Sequence, residues 1–304
     1  MFQTLPLVFI PVHINFDDRD KNLHHTRFFL AGLRYLLRSN SRFFKYLIDI
    51  NHSDSESANH ISQVLGPYPN VQIHIVDTIG RSHALNRGLE YALFNRYPGC
   101  IFVNDDVFVT KGGLDKIAYY LQEHPLVGAK VFPRGLIRPS FPPPDYFEAN
   151  YAYYQYYRNK IKPPFKGNCF GIDIARIDPS FRFPEIRADG SYLLAYYKAR
   201  HKKDPFICPD VAVMTTIPLN PAEFERSVRN HLAGRQQLID YCQQYCPDLL
   251  PFLPKMPTCE ELMQETQRIN DPLIQKCNEI FAAILAQMIS EGNFSQVSGS
   301  YWRR

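Results

Sequence analysis

The sequence predicts an α/β domain, a mostly parallel mixed sheet with helices on both faces, followed by a C-terminal helical appendage. Two observations support this fold class. Short apolar segments alternate with segments of helical periodicity through residue 132, which is typical of βαβ units and a parallel sheet. After residue 217 only helical patterns follow, interrupted by a proline-rich linker from Pro247 to Pro257. The 304 residues have room for one large domain with an appendage, or for two domains.

The predicted strands are short, apolar and bounded by polar or glycine-containing segments. In chain order they are Leu5–Ile14, Phe44–Ile50, Val71–Val76, a strand from Cys100 that ends in Asp105 and Asp106, Leu126–Phe132, Phe165–Ile174 and Pro205–Thr215. A polar loop is expected from Asn15 to Asn22, and the proline- and tyrosine-rich stretch from Pro133 to Pro164 is expected to form a long loop or crossover.

The predicted helices carry apolar residues at helical spacing and end at polar residues, glycine or proline. They are Thr26–Leu37, Ala58–Leu65, Ser82–Phe94, Leu114–Glu123, a helix opened by Asp189 that runs to His201, Ala222–Gln244, Cys259–Ile269 and Pro272–Ser290.

Composition excludes several classes of protein. Hydrophobic residues at 45% and charged residues at 21% are ordinary for a globular chain and exclude wholesale disorder. A net charge of +4 without a basic stripe excludes nucleic acid as the expected partner, although it suits an anionic ligand or an acidic membrane surface. Seven dispersed cysteines fit a reducing compartment, and no segment reaches about 18 apolar residues. We therefore expect a soluble, cytoplasmic protein.

The strand that begins at Cys100 runs directly into Asn104, Asp105 and Asp106. Because desolvating an unpaired carboxylate is costly, we expect both carboxylates at the carboxyl end of the strand, where ligands bind in open α/β sheets. Clustered carboxylate oxygens suit a hard divalent cation such as Mg2+ or Mn2+. The alternative is a solvated strand-to-turn exit, since Asn and Asp are common turn formers.

Two further segments at strand ends can contact a nucleotide. Asp49, near the end of the second strand, can accept a hydrogen bond from the imide N–H of uracil, or can simply be solvated. The turn GRSHALNRG at 80–88 contains Arg81, which can bind a base or a phosphate in bidentate fashion. Helix capping and the close packing of Ala84 and Gly88 explain the same turn without a ligand.

Asp189 follows a loop and opens a helix. A carboxylate near a helix N-terminus is stabilised in its charged form, and this placement suits a general base. The alternative for Asp189 is an ordinary N-cap.

The order of these motifs resembles the family 2 glycosyltransferases of the GT-A fold, over about residues 5 to 215. VNDDV at 103–107 stands in the place of the family's DxD-type metal motif, and RADGSYLL at 187–194 in the place of its ED-type base motif. The sequence departs from the family in two positions. The metal motif is Asn-Asp-Asp, so either Asp105 or Asp106 can be the principal ligand, and Ala188 stands where many members carry Glu.

The resemblance implies an inverting transfer from a nucleotide-diphosphate sugar, with a UDP-sugar favoured, to an acceptor hydroxyl. Mn2+ or Mg2+ on Asp105 and Asp106 would bridge the donor diphosphate, and Asp189 would take the acceptor proton. The remaining donor-binding residues that it implies, beside Asp105, are Pro11, His13, Asp49, Arg81, Asn86 and Asn104.

The sequence also leads us to expect a division of the chain and a set of partners. The expected units are a Rossmann-like nucleotide-sugar-binding half at 1–132, an acceptor and catalytic half at 133–217, and a helical extension at 218–304. A glycan or lipid-linked acceptor is expected, with peripheral contact at the inner membrane face and a homodimer through the C-terminal helices.

Two other functions remain open. A catalytically degenerate protein of this fold would bind a nucleotide or a glycan without turnover, and the Asn-Asp-Asp motif keeps this alternative open. A sugar-phosphate nucleotidyltransferase normally needs a glycine-rich basic loop after its first strand, and the segment IPVHINFDDRDKN at 10–22 contains no glycine.

His231 is interpreted as a surface residue of a helix rather than as a metal ligand.

Overall fold

The computed structural model describes residues 5–15, 19–77, 80–133, 165, 167–215, 221–253, 258–268, 270 and 272–290. Within these residues eight strands form one sheet. They are β1 (Leu7–Val12), β2 (Tyr46–Asn51), β3 (Val71–Val76), β4 (Cys100–Val103), β5 (Val107–Val109), β6 (Leu126–Pro133), β7 (Cys169–Ile172) and β8 (Phe206–Thr215).

The described helices surround this sheet and continue beyond its last strand. They are α1 (Arg19–Ser39), α2 (Ser55–Leu65), α3 (Arg81–Phe94), α4 (Gly113–Tyr120), α5 (Ile174–Ile177), α6 (Asp189–His201), α7 (Pro221–Tyr245), a 3-10 helix (Pro247–Phe252), α8 (Cys259–Arg268) and α9 (Pro272–Ser290). None of the described helices is both long enough and apolar enough to cross a bilayer.

The strand order is β3-β2-β1-β4-β7-β6-β8-β5. The first four strands are parallel, whereas β7 runs antiparallel between β4 and β6. Beyond β7, β8 pairs parallel with β6 and antiparallel with β5. The architecture confirms the predicted mixed α/β class, and it places the carboxyl ends of four parallel strands side by side at one edge.

The strands are buried on both faces because each face packs against helices. In β1, Val8, Ile10 and Val12 belong to the apolar cluster that includes α1 and α2. Leu7 and Phe9 point to the opposite face, into the cluster that includes α3 and α6. This alternation follows the two-residue period of a strand, and the helices on both faces explain why β1 reads as a continuous apolar run.

Two elements differ from the sequence prediction, and a third predicted element is not described. Helix α1 begins at Arg19, so part of the predicted loop Asn15–Asn22 is helical; Asp20 in its first turn has a favourable interaction with the helix dipole. The predicted strand Phe165–Ile174 is reduced to β7, because Asp173 caps α5 through the Arg176 N–H at 3.0 Å. Residues 134–164, where the predicted long loop falls, lie outside the described residues.

Candidate functional site

A row of four side chains follows the carboxyl ends of β3, β2, β1 and β4. We call Asp77, His52, His13 and Asp105 the edge row. The backbone N–H of His13 donates to Asp105 Oδ2 at 3.2 Å. The rings of His13 and His52 are stacked with centroids 6.0 Å apart, and His52 Nδ1 lies 2.7 Å from Asp77 Oδ1. The four residues are therefore connected in a line across the sheet edge.

The ring of His13, in the buried part of this row, is held in place by a backbone hydrogen bond. Its Nδ1 lies 2.8 Å from the carbonyl oxygen of Asn51, and because a carbonyl only accepts, Nδ1 carries the proton. Burial lowers the pKa of His13 from its ordinary value, although the hydrogen bond to Asn51 and the nearby Asp105 raise it. His52 has a φ of 46°, in the left-handed region that a non-glycine residue rarely adopts. Strained residues of this kind occur frequently at ligand sites.

The turn between β4 and β5 holds the predicted metal carboxylates. Asp106 is buried, and the Asp105 side chain is 13% exposed with His25 Nε2 3.9 Å from its Oδ2. Asn104 is fixed in the same turn, because its N–H donates to the carbonyl of Asn168 at 2.9 Å. Two adjacent carboxylates offer hard oxygen ligands that fit Mn2+ or Mg2+. Among the described residues, however, no group of three or more His, Cys, Asp or Glu side chains could hold a metal ion.

Arg81 connects the predicted general base to this turn. Its Nε lies 2.9 Å from Asp189 Oδ2, and the exposed fractions of the two side chains are 13% and 7%. Its Nη2 donates to Asn104 Oδ1 at 2.9 Å and to the carbonyl of Gly167 at 2.7 Å. The other carboxylate oxygen, Asp189 Oδ1, accepts from the Gly190 N–H at 2.6 Å. The structure thus brings Asp189 together with Arg81 and Asn104, which precede it by many residues in the sequence.

The remaining predicted donor-binding residues have other described contacts. Pro11 is buried in β1, where it is paired in register with Asp49 of β2. Asp49 is fully buried, and its carboxylate accepts from Arg87 Nε at 3.3 Å and Nη2 at 2.6 Å. Asn86 exchanges two hydrogen bonds with the backbone of Phe183, at 2.9 and 2.8 Å. Asp49 and Asn86 therefore have structural roles, and their contact with a donor stays a prediction.

Sequence reasoning missed three residues of this region. Arg87 could have been found as the cation that a buried strand Asp requires. His52 and Asp77 each come directly after a predicted or observed strand end, which is the same signal that selected Asp105. They were missed because neither belongs to a recognisable motif.

Helix α7 packs against the segment that precedes Asp189. The Arg187 N–H donates to Gln237 Oε1 at 3.0 Å, and Arg187 Nη1 donates to Asn230 Oδ1 at 3.4 Å. A Cβ on Gly234 would lie 2.9 Å from the Cβ of Arg187, so the helix approaches closely because residue 234 has no side chain. His231, on the same helix, is exposed.

Comparison with known proteins supports the fold and leaves the family open. The mannosyltransferase PcManGT from Pyrobaculum calidifontis, solved with GDP-Man and Mn2+, is similar with a TM-score of 0.60 and 13% sequence identity. The match covers 96% of this chain and 88% of that one. S. aureus TarS 1–349, solved with UDP, matches with a TM-score of 0.47 and 12% identity, covering 98% and 99% of the two chains. No protein-family model and no curated protein sequence matches the chain.

Proposed function

We propose that the chain is a metal-dependent, inverting glycosyltransferase of the family 2 type. It would transfer a sugar from a nucleotide-diphosphate sugar to an acceptor hydroxyl. The contact of Arg81 with both Asp189 and Asn104 is the observation that carries this proposal. A general-base candidate, a cation and a pair of carboxylates are thereby grouped at the carboxyl edge of a parallel sheet, where ligands bind. The fold shared with a mannosyltransferase is consistent with this function.

In the proposed mechanism, the Asp189 carboxylate accepts the proton of the acceptor hydroxyl while that oxygen attacks the anomeric carbon. The bond between the anomeric carbon and the diphosphate oxygen breaks on the opposite side. The configuration is therefore inverted, and a nucleoside diphosphate leaves. Arg81 stabilises the negative charge of Asp189 and fixes its orientation, because it is itself held by Asn104 and Gly167.

Asp105 and Asp106 are proposed as the protein ligands of Mn2+ or Mg2+. A divalent cation bound there would neutralise negative charge on the departing diphosphate. Two carboxylates leave most of an octahedral shell to other oxygens, and the donor phosphates are suited to supply part of it. This arrangement agrees with the lack of a third carboxylate or imidazole ligand among the described residues.

The nucleoside is proposed to lie along the edge row, with its base beside His52 and Asp77. Asp77 is exposed, so its carboxylate can accept a hydrogen bond from a ring N–H of a base. Uracil, thymine and guanine carry such an N–H, and neutral cytosine does not. The proposed donors are therefore UDP-, dTDP- or GDP-sugars, and the uridine preference expected from Asp49 and Arg81 remains part of the proposal.

A thermal-shift panel of UDP, GDP, dTDP and CDP, each with and without Mn2+, tests this function. A ligand at 100 times its dissociation constant adds about 2.7 kcal/mol of apparent stability. We expect a metal-dependent shift with at least one of the first three nucleotides and none with CDP. The variant Asp105→Asn/Asp106→Asn is the control. Nucleotide and Mn2+ together should no longer raise its melting temperature.

Release of nucleoside diphosphate from the matching sugar nucleotide then separates catalysis from binding. Nucleotide binding without any turnover, across glycan and lipid-linked acceptors, would favour the degenerate binding protein. A homodimer through α7, α8 and α9 is part of the proposal, and light scattering on the purified chain tests it.

A further inference from the structure

Arg235 is a buried cation that is not neutralised within the described part of the chain. It lies on α7 and is 6% exposed, between the buried Leu232 and Leu238. No hydrogen bond or ion pair joins it to another described residue, and its Nε is buried without a hydrogen-bond partner. Burial lowers the pKa of Arg235 from its ordinary value, but a guanidinium still stays protonated at neutral pH.

Arg235 lies in the stretch of α7 that adjoins the candidate active site. Asn230, Gly234 and Gln237 all contact Arg187. Asp189 follows two residues later and is held by Arg81. Arg235 is therefore placed by the same helix–loop contact that positions the general-base candidate.

A buried charge without a partner is strongly unfavourable, and proteins that keep one normally give it an anion. The guanidinium presents several N–H donors in a planar fork, which matches the paired oxygens of a carboxylate or a phosphate group. Of these two anions, phosphate is the one that the donor of the proposed reaction carries. The +4 net charge of the chain is compatible with an anionic ligand.

We propose that Arg235 binds a phosphate group that is carried by a substrate of the proposed transfer reaction. This inference rests on the proposed function only for the identity of the substrate. Two sources have the required chemistry: the diphosphate of the nucleotide-sugar donor, and a phosphate on the acceptor.

The test compares Arg235→Gln with Arg229→Gln in the full chain. Arg229 is a matched control because it lies on the same helix but is paired with Glu225 at 2.9 Å and bonded to Gln287 at 2.6 Å. Calorimetric titrations in the presence of Mn2+ measure the affinity of each protein for UDP and GDP and for the nucleosides uridine and guanosine. A further titration measures the affinity for inorganic phosphate of protein that is already saturated with nucleotide.

A donor diphosphate on Arg235 predicts that Arg235→Gln weakens nucleoside diphosphate binding about ten- to a hundredfold and leaves nucleoside binding unchanged. An acceptor phosphate predicts the same loss for inorganic phosphate alone. Unchanged affinity for nucleoside diphosphates and for phosphate in Arg235→Gln would overturn the inference, as would an equal loss in Arg229→Gln.

Thermal stability gives an independent readout. Removing a buried charge that no described residue neutralises should raise the melting temperature of ligand-free Arg235→Met, whereas removing a structural contact would lower it. Phosphate should raise the melting temperature of the wild type and not that of the variant. If wild-type protein binds no nucleotide, the proposed function fails, while the effect of phosphate alone on the melting temperatures of wild type and variant still decides the role of Arg235.

Discussion

The carboxylate of Asp189 is held by two donors, the Arg81 guanidinium on one oxygen and the Gly190 N–H on the other. Asp189→Asn keeps the shape of the side chain but removes its basicity. We expect turnover to fall about 100- to 10,000-fold, while nucleoside diphosphate binding is retained. Release of nucleoside diphosphate and thermal shift measure the two effects separately. Turnover near the wild-type rate would exclude Asp189 as the base.

Asp49 and Asp77 are the two candidates for the carboxylate that binds the nucleobase of the donor, and they differ in burial. Asp49 is fully buried against Arg87, whereas the Asp77 side chain is 91% exposed beside His52. Asp77→Asn should weaken binding of the preferred nucleotide by about tenfold without changing stability. Asp49→Asn should destabilise the fold by about 3–5 kcal/mol, because it leaves Arg87 without its partner. Calorimetric titration and chemical unfolding of both variants distinguish the roles, and the reverse result would return the base contact to Asp49.

Asp178 links the loop after α5 to α6 and gives a pH-dependent contribution to stability. Hydrogen bonds from the Tyr196 hydroxyl and from Ser180, with a smaller contribution from the Arg200 guanidinium, lower the pKa of Asp178 to about 2. Since the folded pKa is below the ordinary value of 3.8, the contribution is complete above that value and is lost as the pH falls toward 2.

Asp178→Asn should therefore lower the free energy of unfolding at pH 7 by about 1–3 kcal/mol. Its difference from the wild type should shrink between pH 4 and pH 3, in urea unfolding at each pH. Asp204→Asn is the control, because Asp204 pairs with Lys198 at an exposed site and such pairs contribute little. A difference that stays constant with pH would contradict this role of Asp178. The variant should also keep its turnover, unlike Asp189→Asn.

At the scale of elements, the position of α3 on the sheet depends on one glycine. A Cβ on Gly88 would lie 2.7 Å from Cγ of Phe9 in β1. Gly88→Ala should therefore destabilise the protein by about 1–3 kcal/mol through overpacking, and it should displace Arg81 at the start of the same helix. Gly32→Ala in α1 is the matched control. Its nearest neighbours would be 3.5 Å away, so the substitution should stabilise by about 0.5–1 kcal/mol.

Denaturant unfolding of the two alanine variants measures these opposite effects. A stabilised Gly88→Ala would show that α3 can move away from β1 at no cost. In that case turnover should still fall, because the contact of Arg81 with Asn104 depends on the position of α3.

The order of strands and helices was predictable from periodicity, because burial on both faces of a parallel sheet gives apolar runs that a sequence displays directly. The structure places Asp105 and Asp106 after β4 and Asp189 at the start of α6, while their roles stay predictions. The closeness of Asn104 and Asp189 to Arg81 was not predictable, since it depends on β7 inserting antiparallel next to β4 and bringing Gly167 to the turn. The partner of Asp49 was also missed, because Arg87 contacts it only when α3 packs on the sheet.

At the scale of the whole molecule, the sequence predicts a boundary near residue 217, and the contacts of α7 cross that boundary. Arg187 bonds to Asn230 and Gln237, and Leu238 and Cys242 belong to the same apolar cluster as Phe9. A helical extension attached in this way should unfold together with the sheet. We therefore expect one cooperative transition in calorimetry, coincident with the loss of far-ultraviolet circular dichroism.

Calorimetry in the presence of a nucleotide tests this cooperativity most directly. Because the donor is proposed to bind at the edge row, far from α8 and α9 in sequence, a saturating nucleoside diphosphate with Mn2+ should raise the whole transition. Two independent domains would instead give two transitions, of which only one responds to the nucleotide. A split transition would contradict the packing of α7 against Arg187, on which the place of Arg235 beside the candidate active site depends.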